Sequence, residues 1–132
     1  GQANATNKSG SHYMMAYCFH SVEGYSKIGN YEGNGNADGS FIYLGFSPAF
    51  FLAKPIDTTG NWLVFDNKRA TYNGVSDRQY PNLRSEDGTS TGVIIDFLSN
   101  GIKHRTSGDI NGASTMMYMA FAEYPFKYSN AR

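Results

Sequence analysis

The chain has 132 residues and a mass of 14.5 kDa, with 11 basic and 11 acidic side chains. This length fits one domain with its own hydrophobic core. Zero net charge disfavours a nucleic-acid binder, which needs a basic face to displace counterions from phosphates, and an electrostatic membrane binder. No apolar stretch approaches the ~18 residues of a membrane-spanning helix. We therefore expect neither nucleic acid nor membrane insertion.

The apolar residues are mostly aromatic. Tyr, Phe and Trp number 10, 9 and 1 and outnumber Leu, Ile and Val together, and the chain holds 15 glycines. Aromatic residues favour strands, whereas glycine favours turns. The lone cysteine, Cys18, excludes an internal disulfide and a zinc site built from cysteines. The composition therefore predicts a fold of strands and turns.

Alternation of apolar and polar residues predicts about nine short strands. Residues 1–10 are small and polar and predict a linker or an extended arm. The first predicted strand, 11–20, carries aromatic residues on one face and Cys18 on the other, where we expect a buried, inert thiol. The remaining strands are predicted at 25–31, 41–46, 50–54, 62–65, 82–85, 93–98, 102–106 and 115–124.

Turn signals separate these strands. The Gly- and Asn-rich segment 32–39 predicts a long turn, Ser47-Pro48 predicts a strand junction, and Asn100-Gly101 predicts a two-residue type I′ hairpin. The longest irregular stretch, 66–82, predicts a functional or structured loop. Together these elements predict an all-β fold, an antiparallel β-sandwich or jelly roll.

One short pattern occurs twice, as Met15-Ala16-Tyr17 near the start and Met119-Ala120-Phe121 near the end. Either the two segments are neighbouring strands of one sheet, or the chain holds the end of one tandem repeat followed by a complete unit. In the second interpretation 11–21 ends a preceding repeat, 22–126 forms the β-sandwich module and 127–132 is a C-terminal tail.

The segment Asn34-Gly35-Asn36-Ala37-Asp38-Gly39 matches the opening of a calcium-binding loop, with side-chain oxygens at alternate positions. The match ends there, because Gly45 stands where a bidentate glutamate is needed and a strand follows. His12, His20 and His104 lack the spacing of metal ligands. We therefore predict a turn that uses left-handed backbone conformations, without metal or other cofactor.

Catalytic motifs are not found in the sequence. Cys18 and His20 would share a strand face but lie too far apart for nucleophilic catalysis. A glycosidase needs two facing carboxylates, and we expect Asp96 to pair with Arg69 or Arg105 instead. The carboxylates that could form a catalytic pair are Asp66, Glu86, Asp87, Asp96, Asp109 and Glu123. The sequence therefore predicts no enzymatic activity and no catalytic residues.

Residues in and beside the long loop are the candidates for ligand binding. Tyr72, Arg78 and Tyr80 fall in the loop, and Trp62 lies just before it. Aromatic rings with polar and cationic neighbours suit both sugar stacking and protein contacts. For Trp62 a place in the core is the alternative, because it begins the apolar run 62–65.

Several ordered motifs resemble a known family. They are Glu23-Gly24-Tyr25-Ser26-Lys27, Tyr31-x-Gly33-Asn34-Gly35-x-x-Asp38-Gly39, Gly45-Phe46-x-Pro48-Ala49-Phe50, Asp66-x-x-Arg69, the run 96–105 and Met119-Ala120-Phe121-Ala122-Glu123. Over about 17–126 the chain resembles a poorly characterised domain of tail-fibre-like virion proteins of marine bacteriophages. The resemblance implies a non-enzymatic virion surface module and favours the tandem interpretation, with this chain as the C-terminal unit.

Most of the residues shared with that family are expected to have structural roles. Asp66 and Arg69 are expected to form an ion pair that fixes the loop after them. Those expected to serve the long turn, the strand junction and the hairpin are Gly33, Gly35, Gly39, Pro48, Asn100 and Gly101.

The expected function is that of a structural module in a phage tail or capsid fibre, with loops that recognise a host-surface glycan or protein. We expect self-association, as a homotrimer or larger assembly, and contacts with other virion proteins on the particle surface. Aromatic strand faces and zero net charge favour such close packing. The alternatives are a secreted bacterial carbohydrate-binding or adhesin module, and a filament or decoration subunit without a ligand.

Overall fold

The fold is built almost entirely from short antiparallel strands. A computed structural model describes residues 13, 15–84, 88–89 and 92–124. This part of the chain contains nine strands and one 3₁₀ turn, Asp109–Asn111. The strands are β1 (Ser26–Glu32), β2 (Phe41–Tyr43), β3 (Pro48–Pro55), β4 (Leu63–Asp66), β5 (Asp77–Arg78), β6 (Gly88–Thr89), β7 (Ile95–Leu98), β8 (Gly101–His104) and β9 (Thr115–Ala122).

The strands form two main antiparallel sheets. In one sheet the order is β1-β9-β3-β4, in the other it is β2-β8-β7, and β5 pairs with β6 as a small ribbon. In the four-stranded sheet, Leu52 of β3 lies between Met119 of β9 and Val64 of β4. The predicted all-β antiparallel sandwich is therefore confirmed.

The core lies between the two sheets and takes alternate residues from the strands. Phe51 and Phe65 of the four-stranded sheet are fully buried, and they belong to one cluster with Ile95 and Ile102 of the other sheet. Burying each side chain of this size stabilises the fold by about 1.5–3 kcal/mol. Because side chains alternate along a strand, the intervening residues lie on the outer faces.

The strand predicted at 11–20 is absent from the described residues of that stretch, which are Tyr13 and 15–20. Strand β9 already pairs with β1 on one edge and β3 on the other, so the sheet has no place beside β9 for a copy of its pattern. The interpretation of the two Met-Ala-aromatic segments as neighbouring strands is therefore wrong, and the tandem interpretation stays a prediction. Cys18 is exposed, contrary to expectation, because no sheet holds it. The predicted arm at 1–10 and tail at 127–132 lie outside the described residues.

The long irregular stretch covers one open edge of each sheet. Val64 of β4 forms an isolated bridge with Gln79, and Ile95 of β7 forms one with Val75. Bare strand edges can pair with other chains, so covering them protects the fold from aggregation. We call residues 67–84 the strap, because this segment ties the two sheets together at one side of the sandwich.

The strand predicted at 82–85 is wrong for its described residues, 82–84, and residue 85 lies outside the described part. The chain turns here instead, since the amide of Leu83 donates to the carbonyl of Tyr80 at 3.0 Å. Pro81 inside the turn lacks an N–H for a sheet ladder. The edge of β4 is paired with Gln79, just before this turn.

The predicted hairpin between β7 and β8 is present, but the prediction of a type I′ turn is wrong. Leu98 pairs with Gly101, so Ser99 and Asn100 are the two central residues, and neither has the positive φ that a type I′ turn requires. Gly101 is needed for a different reason. A Cβ there would lie 2.2 Å from the carbonyl oxygen of Ile42, so glycine lets β2 approach β8.

The predicted strand junction at Ser47-Pro48 is shifted by one residue. Pro48 is not between strands but is the buried first residue of β3, followed by an irregularity in the pairing with β9 before Phe50. The first position of a strand is one of the few that tolerate proline, because no ladder hydrogen bond is required there.

Candidate ligand-binding groove

The structure separates the four residues predicted to bind a ligand. Arg78 is 7% exposed, and its Nε donates to the hydroxyl of Tyr80 at 2.6 Å. Tyr72 is 85% exposed on the strap. Trp62 is half-buried on the outer side of the four-stranded sheet, where Lys54 Nζ lies 6.0 Å from its ring centroid, so it is not a core residue. Arg78 and Tyr80 touch each other, whereas Trp62 and Tyr72 line separate depressions.

Tyr72 borders a groove of about 460 Å³ between the first half of the strap and the ends of β7 and β9. We call this surface the Tyr72 groove and define it by six of its lining residues. They are Asn67, Lys68, Tyr72, Asn73, Phe97 and Glu123. Sequence reasoning identified Tyr72 but missed Asn67 and Lys68, because polar residues in a loop carry no pattern that marks them as convergent.

The polar atoms of the Tyr72 groove are of three kinds. The Oδ1 of Asn67 is buried and has no hydrogen-bond partner among the described residues. Lys68 Nζ lies 3.7 Å from Glu123 Oε1, a long and exposed contact that supplies both a donor and an acceptor. Asn73 is already used, since its Oδ1 accepts the amide of Phe97 at 2.9 Å. Lys68 and Glu123 are therefore the polar side chains of the groove that a ligand can reach, since they are 79% and 28% exposed.

The groove is held at its start by Asp66, the last residue of β4. One carboxylate oxygen, Oδ1, accepts the amides of Lys68 at 2.9 Å and Arg69 at 2.8 Å. The other, Oδ2, lies 3.1 Å from Arg69 Nε, so the ion pair predicted from the sequence is present. The carboxylate thereby defines the turn that places Asn67 and Lys68 on the groove wall.

The far end of the groove is held by Asp96 of β7. Its Oδ1 accepts the amide of Gly74 at 2.9 Å, and its Oδ2 accepts Nε of Arg105 at 2.6 Å. Of the two partners expected for Asp96, the structure thus selects Arg105. Gly74 has a φ of 85°, a conformation that favours glycine. Tyr72 therefore projects from a short span that is anchored on both sides.

Replacing Arg69 with alanine is expected to increase amide hydrogen exchange in the strap, most strongly in 70–75. The substitution removes one half of the Asp66 pair but leaves the two backbone bonds, so the cost in global stability is about 0.2–1 kcal/mol. Hydrogen-exchange mass spectrometry measures the local change. Lys68→Ala is the matched control, because its side chain is 79% exposed and makes a longer contact. Unchanged protection in Arg69→Ala would contradict the role of the pair.

The segment that resembles a calcium loop is held by a buried asparagine instead. Asn111 is 1% exposed, and its side chain reaches across the turn to both backbone and side-chain atoms. Its Nδ2 donates to Asn36 O at 2.8 Å, Thr106 O at 2.8 Å and Asn34 Oδ1 at 3.1 Å, and its Oδ1 accepts the amides of Ser40 at 3.2 Å and Asn34 at 3.4 Å. The sequence offered no signal for this role, since four of the five hydrogen bonds join Asn111 to residues more than seventy positions away.

The carboxylate of the same turn is occupied by a lysine. Lys103 Nζ lies 2.6 Å from Asp38 Oδ1, and this hydrogen bond and charge lower the pKa of Asp38. Among the described residues no group of three or more metal-ligating side chains comes together. Of the three glycines predicted for the turn, Gly35 is left-handed with a φ of 62°. Gly33 and Gly39 are instead needed for close approach, because a Cβ would lie 1.9 Å from Gly112 O and 2.5 Å from His104 Cβ respectively.

A second depression, of about 470 Å³, lies on the other side of the strap between Tyr80 and Asp109. Asp109 has a φ of 45°, which costs a residue with a side chain about 1 kcal/mol. Of its described lining residues, Asp109 alone carries a carboxylate. Glycoside hydrolysis needs a pair of them. Of the other carboxylates considered from the sequence, Asp66, Asp96 and Glu123 face cationic partners, and Glu86 and Asp87 lie outside the described residues.

The fold and the groove together define a small all-β module with a depression of ligand size beside the strap. A family model described as "Domain of unknown function (DUF7483)" matches residues 1–125, so the chain belongs to that family. The chain matches neither a curated protein nor a solved structure. Within the described ranges, no helix has the length and apolar character needed to cross a membrane.

Proposed function

We propose that this chain is a non-enzymatic recognition module on the surface of a phage particle, in a tail or capsid fibre, and that the Tyr72 groove binds a host-surface glycan. The observation that carries the proposal is the exposed ring of Tyr72 in one groove with the accessible Lys68–Glu123 pair, which supplies a donor and an acceptor. The location on a virion is proposed from the resemblance of the ordered motifs to tail-fibre-like proteins. In that setting the module associates with further copies of itself and with other virion proteins.

The chemistry of the groove suits a saccharide better than an anion or an apolar ligand. Each sugar hydroxyl both donates and accepts, which matches the donor of Lys68 and the acceptor of Glu123. The C–H face of a pyranose ring can lie against Tyr72, because an aromatic ring offers a flat apolar surface with a polar edge. Binding without bond cleavage agrees with the pairing of Glu123 with Lys68.

Replacing Tyr72 with alanine is expected to weaken glycan binding about tenfold, the loss that corresponds to one stacking contact of about 1.4 kcal/mol. Lys68→Ala is expected to weaken binding as well, because it removes the exposed donor of the groove, while stability changes by less than about 1 kcal/mol, since its contact with Glu123 is long and exposed. The measurement is binding to a printed array of bacterial surface polysaccharides, followed by titration of the saccharides that bind and by urea denaturation of each variant.

The matched control is Tyr43→Ala, which removes an exposed ring from β2, outside the Tyr72 groove. This variant should bind as the unaltered protein does. The proposal is wrong if the unaltered protein binds no saccharide on the array, or if Tyr72→Ala and Tyr43→Ala bind equally well.

A further inference from the structure

The outer side of the four-stranded sheet carries a continuous apolar surface. The strand register sets Ile28, Met119, Leu52 and Val64 in one row across all four strands. Phe121 and Phe50 form part of the next row, with ring centroids 5.9 Å apart. All six side chains are partly exposed. We call these six residues the outer face.

Such a surface is unusual for a strand face that meets water. An antiparallel sheet with one solvated side normally alternates apolar and polar residues, whereas strands buried on both sides form continuous apolar runs. β3 and β9 follow the second pattern, as in Phe50-Phe51-Leu52-Ala53 and Met116-Met117-Tyr118-Met119-Ala120-Phe121. The outward-facing residues of β3 and β9 therefore have the apolar composition of residues that another surface covers.

The described part of the chain borders this surface on two sides. On one side Phe19 and Tyr25 contact the ring of Phe121, with centroid distances of 6.1 Å and 5.8 Å. On the other side Trp62, Pro81 and Asn82 line a shallow depression whose floor is formed by the outer face. Met15 and Tyr17, which precede Phe19 in the chain, do not cover this surface, since each is 79% exposed. They repeat the pattern of Met119 and Phe121, so the segment before Phe19 has the same apolar chemistry as the outer face.

We propose that the outer face packs against the same face of a second copy of this chain. The inference rests on the self-association in the proposed function and is independent of the Tyr72 groove. An apolar surface without a strong charge pattern is complementary to itself, and a two-fold pair requires one such patch. Zero net charge removes the repulsion that would keep two copies apart.

The sheet supplies about half of the area that such a pair needs. Its strands β1, β9, β3 and β4 contain 7, 8, 8 and 4 residues, and at about 4.8 Å spacing and 3.4 Å rise per residue they cover roughly 440 Å². A stable protein pair buries about 800 Å² on each side, and the exposed side chains of Met15, Tyr17 and Phe19 can supply much of the remainder. Two sheets stacked face to face lie about 10 Å apart and interlock like the two halves of a sandwich core.

The continuous shape of the outer face favours a dimer over the homotrimer expected from the sequence. Two continuous sheet faces cover one another completely, and the central row of Leu52 and Met119 lies at the middle of such a contact. Three faces arranged around a three-fold axis would meet along their edges and leave part of that row uncovered. The geometry therefore assigns Leu52 to the centre of a two-fold interface.

Sedimentation equilibrium of the full chain tests this arrangement. The unaltered protein is expected to form dimers, and Leu52→Glu is expected to weaken association by more than tenfold, because the two-fold axis brings two like charges together. Leu52→Lys should have the same effect. An equimolar mixture of the two variants should recover dimers, because unlike charges then meet at the centre.

The matched control is Phe41→Glu, which adds a charge at an exposed aromatic residue of the three-stranded sheet and should leave dimers intact. Circular dichroism confirms that each variant is folded. A monomeric or trimeric unaltered protein overturns the proposal, and so does a mixture of the Leu52 variants that stays monomeric. Glycan binding is read separately through Tyr72→Ala, so failure of one proposal does not imply failure of the other.

Discussion

Replacing Asn111 with alanine is expected to lower the free energy of unfolding by about 2–4 kcal/mol. The side chain is buried and makes five hydrogen bonds, most of them to the turn that follows β1. Its removal leaves the carbonyl of Thr106 and the amide of Ser40, both in half-buried residues, without their partner. Each polar group left unpaired away from water costs about 1–3 kcal/mol. Equilibrium denaturation in urea measures the change.

The matched control for this substitution is Asn30→Ala. Asn30 is an exposed residue of β1, so its replacement should change stability by less than about 0.5 kcal/mol. Equal stability of the two variants would show that Asn111 does not hold the turn. A loss confined to Asn111→Ala would establish that the calcium-like segment is organised by a protein side chain.

The second large effect is a loss of stability in mild acid caused by His104. This side chain is 1% exposed, its ring stacks on Tyr31 at 5.2 Å, and its Nε2 has no partner among the described residues. Burial, with a smaller contribution from the charge of Lys103, lowers the pKa of His104 from 6.5 to about 4. The folded protein therefore keeps the ring neutral in a range where the unfolded chain binds a proton.

The direction of the effect follows from this difference. Well above pH 6.5, His104 is neutral in both the folded and the unfolded protein, so the free energy of unfolding does not depend on its protonation. As the pH falls from 6.5 towards 4, the unfolded state gains a proton that the folded state cannot bind, so the free energy of unfolding decreases by about 3 kcal/mol in total. The lowered pKa of Asp38 adds a loss at still lower pH.

Urea denaturation at several pH values between 7 and 4.5 measures this dependence. His104→Phe keeps an aromatic ring against Tyr31 and should remove most of the slope. His20→Phe is the matched control, because His20 is exposed and its replacement should leave the slope unchanged. The same slope in His104→Phe as in the unaltered protein would rule out His104 as the source.

Most strands could be predicted because their signal is local. Period-two alternation over 25–31, 62–65 and 102–106 places those strands within a few residues of β1, β4 and β8. The same signal predicted a strand at 11–20, yet Tyr13 and Tyr17 lie outside the sheets. Alternation makes a segment suitable for a sheet but does not specify a pairing partner, and the described residues of 11–20 pair with no strand.

Only part of the candidate site could be predicted, because the sequence shows which residues are aromatic but not where their rings lie. The aromatic residues of the long loop are visible in the sequence, but the strap turns between Tyr72 and Tyr80, so their rings face different depressions. Asn67 is distinguished by the burial of its Oδ1, which depends on the packing of distant segments around it. The spacing of residues in the sequence predicts neither the direction of these rings nor the burial of Asn67 Oδ1.

The amino-acid sequence by itself determined the all-β class and the absence of an internal disulfide, because both depend on composition. It also determined the approximate position of most strands and the Asp66–Arg69 pair, because these depend on residues close together in the chain. The tertiary structure alone decided that Asn111 organises a turn more than seventy residues away, that His104 is buried beside Tyr31, and that Ile28, Leu52, Val64 and Met119 form one outward row. These features come from strand order and register. The order β1-β9-β3-β4 brings the end of the chain between two early strands, a pairing of distant segments that local periodicity cannot specify.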